Sequence, residues 1–166
     1  MAKKTAVTKS GKVEVSDPKS RFELEFYVDD DGKQLVLEWL RGLSLTKKQV
    51  LGQAMNEILQ TLGIDVCATE FGKQLGKGLF EFRLRHKPGD IGAEKGGKKL
   101  PPEELLLRVF CHAHGKKLIL LLGGYDKGED TSKKRQDREI GEARARLAKV
   151  SVRPTAVERA LTSAWR

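Results

Sequence analysis

Arginine and histidine side chains recur at alternate positions in two segments of the second half of the chain. Residues 79–86 read LFEFRLRH and residues 105–114 read LLLRVFCHAH. Alternate side chains of a β-strand point to the same face of a sheet, so each segment buries one set and presents the other. If the segments pair as antiparallel strands, the presented sets lie side by side. The basic members of these sets are Arg83, Arg85, Arg108, His112 and His114.

This combination suits chemistry on a phosphodiester. Arginine can hold a phosphate through two parallel hydrogen bonds and can offset charge that develops in the transition state. Histidine, tyrosine or lysine can transfer a proton, and an aromatic ring can stack on a base. We therefore predict five catalytic residues: Arg83, Arg108, His112, Tyr125 and Lys127. The predicted RNA-binding residues are Arg85, Phe110, His114, Lys116, Lys133, Lys134 and Arg135.

Two other interpretations of these residues stay open. The open face of any antiparallel sheet is polar, and a basic protein places several basic residues there by chance. The pair His112 and His114 would bind zinc if a third ligand were available. However, Cys111 points to the opposite face of its strand, and the spacing ties neither Cys67 nor His86 to the pair. We therefore expect no metal at the site.

Other nucleotide and catalytic motifs are absent from the sequence. Residues 76–78 and 123–124 are glycine-rich but lack the spacing of a phosphate-binding P-loop. There is no G-x-S-x-G nucleophile motif. Residues 29–32 read DDDG, which is typical of a turn, and the ligand spacing of a calcium loop does not continue after them. We expect no cofactor.

Composition and charge narrow the class of partner. The chain has 166 residues with a formal net charge of +9, which favours phosphate-rich partners such as nucleic acid. Its apolar runs are too short for a transmembrane helix, and the basic N-terminal segment lacks the apolar stretch of a secretory signal. Two cysteines are too few for a disulfide framework. We therefore expect a cytoplasmic protein that does not associate with membranes.

The apolar periodicity predicts the elements that position these residues. Residues 22–27 alternate as a strand, and residues 35–43 and 47–61 have helical spacing. Three strands follow, near residues 79–86, 105–114 and 118–122, with a break at Gly123 and Gly124, and then a helix to about Lys149. The predicted fold is α+β, with an antiparallel sheet of about four strands and helices mostly on one face.

The same pattern divides the chain into three regions. Residues 1–20 are rich in Lys, Ser, Thr and Gly and are predicted to be a flexible basic arm, which either contacts phosphate or is a solvated tail. Residues 21–150 form the predicted domain. Within it, residues 87–104 contain several Gly and Pro residues and are predicted to be a long loop. Residues 151–166 are predicted to be a short C-terminal helical tail.

An ordered series of short motifs resembles the RelE/ParE/HigB superfamily of toxins from toxin–antitoxin pairs, most closely its phage-derived, HigB-like branch. The motifs are LFEFR at 79–83, Arg108-Val109, the apolar strand at 118–122, YDK at 125–127, and Glu139-Ile140 followed by Ala143 and Arg146. The resemblance covers roughly residues 22–149. It implies a RelE-like fold, with a curled antiparallel sheet of about four strands, an N-terminal helical hairpin and a C-terminal helix.

The resemblance also implies an activity and partners. Toxins of this kind are metal-independent endoribonucleases that typically cut mRNA on the ribosome, with the 2′-hydroxyl attacking the neighbouring phosphate, and a helix-turn-helix antitoxin neutralises them. By position, Arg108 matches the phosphate-clamping arginine, while Arg83 and Lys127 match basic positions of the family. Glu81 and Gly128 depart from RelE, which carries a lysine and an arginine there.

Two alternative functions follow from the same resemblance. ParE-like relatives share the fold but inhibit DNA gyrase, so the chain would be a non-nucleolytic inhibitor of gyrase or of another host protein. A non-toxic RNA-binding phage protein is the other alternative. The sequence contains no signal of the oligomeric state.

Overall fold

A computed structural model describes residues 21–86 and 104–152 of the chain. The predicted arm at 1–20, nearly all of the predicted loop and the tail from residue 153 lie outside the described residues. The elements in chain order are β1 (Glu23–Phe26), α1 (Leu35–Gly42), α2 (Leu45–Ala54), a π-helical turn (Met55–Leu59), α3 (Gln60–Leu62), a 3₁₀ helix (Gly63–Ala68), β2 (Gly72–Gly76), β3 (Leu79–His86), β4 (Leu105–His114), β5 (Leu118–Asp126) and α4 (Lys133–Val152).

The α+β class is confirmed, but the sheet differs from the predicted one. It is a curled, open sheet of five strands in the order β1-β5-β4-β3-β2. Strands β2 to β5 pair antiparallel, whereas β1 pairs with β5 in parallel, so the sheet is mixed. The connection between β1 and β5 runs through all the intervening elements, which allows the parallel pairing that a tight hairpin would not.

Two serines and a glycine lie at helix ends. The hydroxyl of Ser44 accepts from the backbone N–H of Lys47 at 3.3 Å at the start of α2. Gly63 adopts φ +56° where α3 ends. The hydroxyl of Ser132 accepts from the N–H of Arg135 at 3.1 Å at the start of α4. The two serines therefore satisfy backbone N–H groups at helix starts, and the glycine supplies the positive φ at a helix end.

Helices cover both faces of the sheet, which corrects the prediction of an open face. The face that carries Phe82 and Val109 packs against α1 to α3. The opposite face, which carries Phe110 and Leu122, packs against α4 through Ala143 and neighbouring apolar residues. The face that the sequence predicts to be solvated is therefore partly buried, because α4 supplies enough apolar surface to cover it.

The glycine pair of β5 lets both helical layers approach the sheet. Gly123 and Gly124 were predicted to break the strand, but β5 continues to Asp126. A Cβ atom on Gly124 would overlap the ring of Trp39 in α1. On the other face, a Cβ atom on Gly123 would lie 3.2 Å from a terminal nitrogen of Arg146 in α4. The absence of side chains at these positions therefore makes room for a helix on each face.

Within the described ranges, no helix has the length and apolarity needed to cross a bilayer.

Candidate functional site

The strand register places the predicted arginines opposite each other. Arg83 of β3 lies directly opposite Arg108 of β4, and Arg108 in turn lies opposite Tyr125 of β5. Directly opposed side chains of antiparallel strands interact, and like charges in this arrangement repel. Two neighbouring guanidinium groups therefore need a carboxylate close by.

Glu81 supplies this carboxylate. Its Oε1 atom accepts a hydrogen bond from Nε of Arg83 at 2.8 Å. The same oxygen lies 3.1 Å from Nε of Arg108, which is within ion-pair distance although the angle does not make a hydrogen bond. One buried carboxylate thus positions two arginines on adjacent strands. We call Glu81, Arg83, Arg108 and Tyr125 the arginine cluster.

Side-chain exposure decreases from Arg85, which neighbours the arginine cluster, to Glu81 inside it. The exposed fraction of the side chain is 60 % for Arg85, 30 % for Arg83, 10 % for Arg108 and 0 % for Glu81. Burial lowers the pKa of the Arg108 guanidinium, and the charge of Glu81 opposes this shift. Arg108 is thus a buried residue rather than one that points away from the core, as its strand parity had suggested.

The terminal nitrogens of these arginines make few contacts with the described residues. Among the described residues, the terminal nitrogens of Arg83 have no hydrogen-bond acceptor. Those of Arg108 have one weak contact, from Nη1 to the carbonyl of Leu107 at 3.4 Å. Arg85 follows the same pattern, since its Nε lies 3.1 Å from Oε1 of Glu104. The two terminal nitrogens of an arginine form the fork that binds a phosphate.

Tyr125 completes the arginine cluster under α4. Its ring stacks on Phe110 at a centroid distance of 6.0 Å, and the Arg135 guanidinium lies 5.6 Å from the ring centroid. Burial raises the pKa of the Tyr125 hydroxyl, and the charge of Glu81 raises it further, while Arg108 opposes the shift. The hydroxyl is therefore protonated at neutral pH and can donate a proton.

Three buried atoms of the arginine cluster have no hydrogen-bond partner among the described residues: the Tyr125 hydroxyl, Oε2 of Glu81 and Nε of Arg108. Of these, only Nε of Arg108 has an ion-pair contact, with Glu81. Buried polar atoms are seldom left unsatisfied in folded proteins, and such exceptions are often functional. One unpaired donor and one unpaired acceptor beside two arginines would suit a ligand that carries both a hydroxyl and an anion.

Several predicted site residues lie near this cluster with different degrees of access. Phe110 is fully buried, so in this conformation it stacks on Tyr125 and is not available to a base. Lys127 is half-buried, and its N–H donates to the carbonyl of Leu106 at 2.8 Å. Lys133 and Lys134 are exposed at the start of α4.

The two histidines do not join the arginine cluster. His112 lies four residues beyond Arg108 on β4, which corresponds to about 13 Å along the strand. Phe110, buried under α4, lies between them. His112 and His114 have ring centroids 5.9 Å apart, next to Lys116 in the β4–β5 turn. The single predicted site is thus two separate groups of basic residues.

Sequence reasoning missed the role of Glu81. It treated this residue only as a departure from RelE, whereas the structure places it at the centre of the cluster. A glutamate two residues before an arginine shares its face, and that spacing is the signal that would have indicated an ion pair. In the part of the chain that the structure describes, no three His, Cys, Asp or Glu side chains form a metal-binding group.

No protein-family model, curated protein or solved structure matches this chain. The fold and the site alone therefore define the class. The chain is an α+β protein with a mixed five-stranded sheet, in which a buried carboxylate positions two arginines on adjacent strands.

Proposed function

We propose that this protein is the toxin of a type II toxin–antitoxin pair. It acts as a metal-independent endoribonuclease on ribosome-bound mRNA. One observation carries the proposal. Glu81 contacts both Arg83 and Arg108 through their Nε atoms, which holds two guanidinium groups of adjacent strands beside one carboxylate. The motif resemblance to RelE and HigB toxins supports the same function.

The arginine cluster contains the groups that the reaction needs. In the proposed step, the ribose 2′-oxygen bonds to the adjacent phosphorus, the bond from phosphorus to the 5′-oxygen breaks, and the products are a 2′,3′-cyclic phosphate and a 5′-hydroxyl. Arg83 and Arg108 stabilise the charge on the phosphoryl oxygens. Oε2 of Glu81 accepts the 2′-hydroxyl proton, and the Tyr125 hydroxyl donates a proton to the leaving oxygen.

The burial of the cluster favours a second candidate function. The side chain of Arg108 is only 10 % exposed, and α4 packs across the same face. If α4 stays in place when a partner binds, the arginines act as structural supports. The chain would then be a non-nucleolytic inhibitor of gyrase or of another host protein, like the ParE relatives, or a non-toxic RNA-binding protein.

Induced expression in cells, followed by mapping of RNA 5′ ends, tests the proposal. We expect growth arrest and new 5′-hydroxyl ends within mRNA. Arg83→Gln removes the more exposed arginine of the pair, and we expect it to lower cleavage at least 100-fold. Arg41→Gln is the matched control, because Arg41 is exposed on α1.

Three results would contradict the proposal. Growth arrest with intact transcripts and broken DNA would identify a gyrase inhibitor. Equal cleavage by the Arg83 and Arg41 variants would show that the arginine cluster is not the reaction site. Normal growth with intact transcripts would show that the chain is not a toxin.

A further inference from the structure

Both hairpin turns of the antiparallel strands lie at the same end of the sheet. Leu79 at the start of β3 lies opposite His112, so the β2–β3 turn is level with the β4–β5 turn. Lys77 occupies the first turn and Lys116 the second, and both are exposed. His114, at the end of β4, lies beside the second turn and is half-buried. We call Lys77, His114 and Lys116 the basic hairpin end.

Hydrogen bonds fix the shape of the basic hairpin end. Nδ1 of His112 lies 2.8 Å from the carbonyl oxygen of Gly78. Because a carbonyl oxygen can only accept, Nδ1 carries the hydrogen and donates it. Arg144 of α4 donates to the carbonyls of Leu75 and Gly76 in the same turn. The β2–β3 turn is therefore attached to both β4 and α4.

The turn presents its lysine without competition from a carboxylate. Lys77 has φ +53° between two glycines that also have positive φ, which places its side chain at the tip of the turn. No ion pair among the described residues involves Lys77 or Lys116. The acidic residues of the adjoining edge, Glu23 and Glu25, are on β1, with β5 between them and β4. The backbone N–H of Glu23 donates to the carbonyl of Lys117 in the second turn at 2.7 Å.

We propose that the basic hairpin end is a second anion-binding site, which holds the phosphodiester backbone of a single RNA strand away from the arginine cluster. The identity of the ligand as RNA rests on the proposed function. The separation of about 13 Å between Arg108 and His112 means that two different phosphates of one strand occupy the two sites. The lysines strengthen binding of the RNA strand and set its position. They do not contact the reacting phosphate.

A salt titration of binding tests this site separately from cleavage. The probe is a short, fluorescent, 2′-O-methylated RNA strand, which the protein cannot cleave because the attacking hydroxyl is blocked. The double variant Lys77→Asn/Lys116→Gln removes two charges, and asparagine tolerates the positive φ of position 77. The control Lys33→Gln/Lys48→Gln removes two exposed lysines elsewhere.

We expect the hairpin variant to bind more weakly, and the slope of log affinity against log salt to decrease in magnitude by about 1.4, because each contact with a single strand contributes about 0.7. The control slope should match that of the unmodified protein. Equal slopes for the two double variants would overturn the proposal, as would the absence of RNA binding by the unmodified chain.

A parallel measurement separates this proposal from the proposed function. Cleavage of unmethylated RNA by the unmodified chain is measured alongside the binding titrations. If the unmodified chain binds RNA with the expected salt dependence but never cleaves it, the nuclease function fails and the second site stands. If cleavage occurs but the hairpin slope is unchanged, only the second site fails.

Discussion

Glu81 and Arg108 depend on each other because both are buried. The Glu81 side chain is fully buried, and Arg108 is its more deeply buried partner. Removing one member of an isolated buried ion pair typically costs about 3–5 kcal/mol, but the Glu81 carboxylate would keep its contact with Arg83. We therefore expect Arg108→Ala to lower the free energy of unfolding measurably but by less than that amount, as measured by urea denaturation.

A double variant distinguishes this cause from a general loss of packing. In Arg108→Ala the buried Glu81 charge has only Arg83 as a partner. Glu81→Gln removes this charge, so combining it with Arg108→Ala should recover part of the lost stability. Arg41→Ala, at an exposed position of α1, should change stability by no more than about 0.5 kcal/mol. If the two effects at Glu81 and Arg108 simply add, the proposed coupling is absent.

Removing the Tyr125 hydroxyl tests its role in cleavage with little effect on stability. It is buried without a partner among the described residues, so Tyr125→Phe removes no hydrogen bond. Stability should change by less than about 1 kcal/mol. If the hydroxyl donates the proton to the leaving oxygen, cleavage should fall about 100-fold or more. Thermal unfolding and cleavage of the same preparations give both values, and normal cleavage would exclude this role for Tyr125.

Among the secondary-structure elements, those with a local sequence pattern were predicted, whereas the pairing of distant segments was not. The alternation in LFEFRLRH and LLLRVFCHAH predicted β3, β4 and the faces of their side chains, because the period of a strand is local. The polar segment GKQLG has no such alternation, so β2 was missed. The parallel pairing of β1 and the position of α4 depend on contacts between distant segments, which periodicity does not encode.

The same limit explains the incorrect prediction for the glycines of β5. Glycine usually marks a turn, but Gly124 lies within β5, where the ring of Trp39 packs against the backbone. Gly124→Ala should therefore lower the free energy of unfolding by about 1–3 kcal/mol, because neither the strand nor the ring can move freely. Gly52→Ala is the control. That position has open space in α2, so alanine should stabilise the protein by about 0.5–1 kcal/mol.

The comparison between these two glycine variants tests whether α1 packs against β5 through Trp39. Urea denaturation of each variant gives its change in the free energy of unfolding. If Gly124→Ala is as stable as the unmodified protein, α1 is not held against β5 in the described way. Chemical shifts of the Trp39 indole would then show whether the ring has moved.

At the scale of the whole molecule, an ionisable group is buried in each of the two layers. Cys111 is fully buried on the face covered by α1 to α3, and Tyr125 is buried on the face covered by α4. Burial is the main cause that raises the pKa of both groups above their ordinary values of 9.0 and 10.0. Both faces of the sheet therefore favour the protonated forms in the folded state.

The sign of the pH dependence follows from these shifts. Above pH 9 the unfolded chain loses the Cys111 proton and above pH 10 the Tyr125 proton, while the folded protein retains both. As far as these two groups are concerned, the folded state is therefore most stable below pH 9. At higher pH each group can reduce the free energy of unfolding by up to about 1.4 kcal/mol per pH unit. Urea denaturation at several pH values should show Cys111→Ala flattening the decline above pH 9 and Tyr125→Phe flattening it above pH 10. Unchanged slopes in both variants would mean that the alkaline decline, if present, originates in other groups.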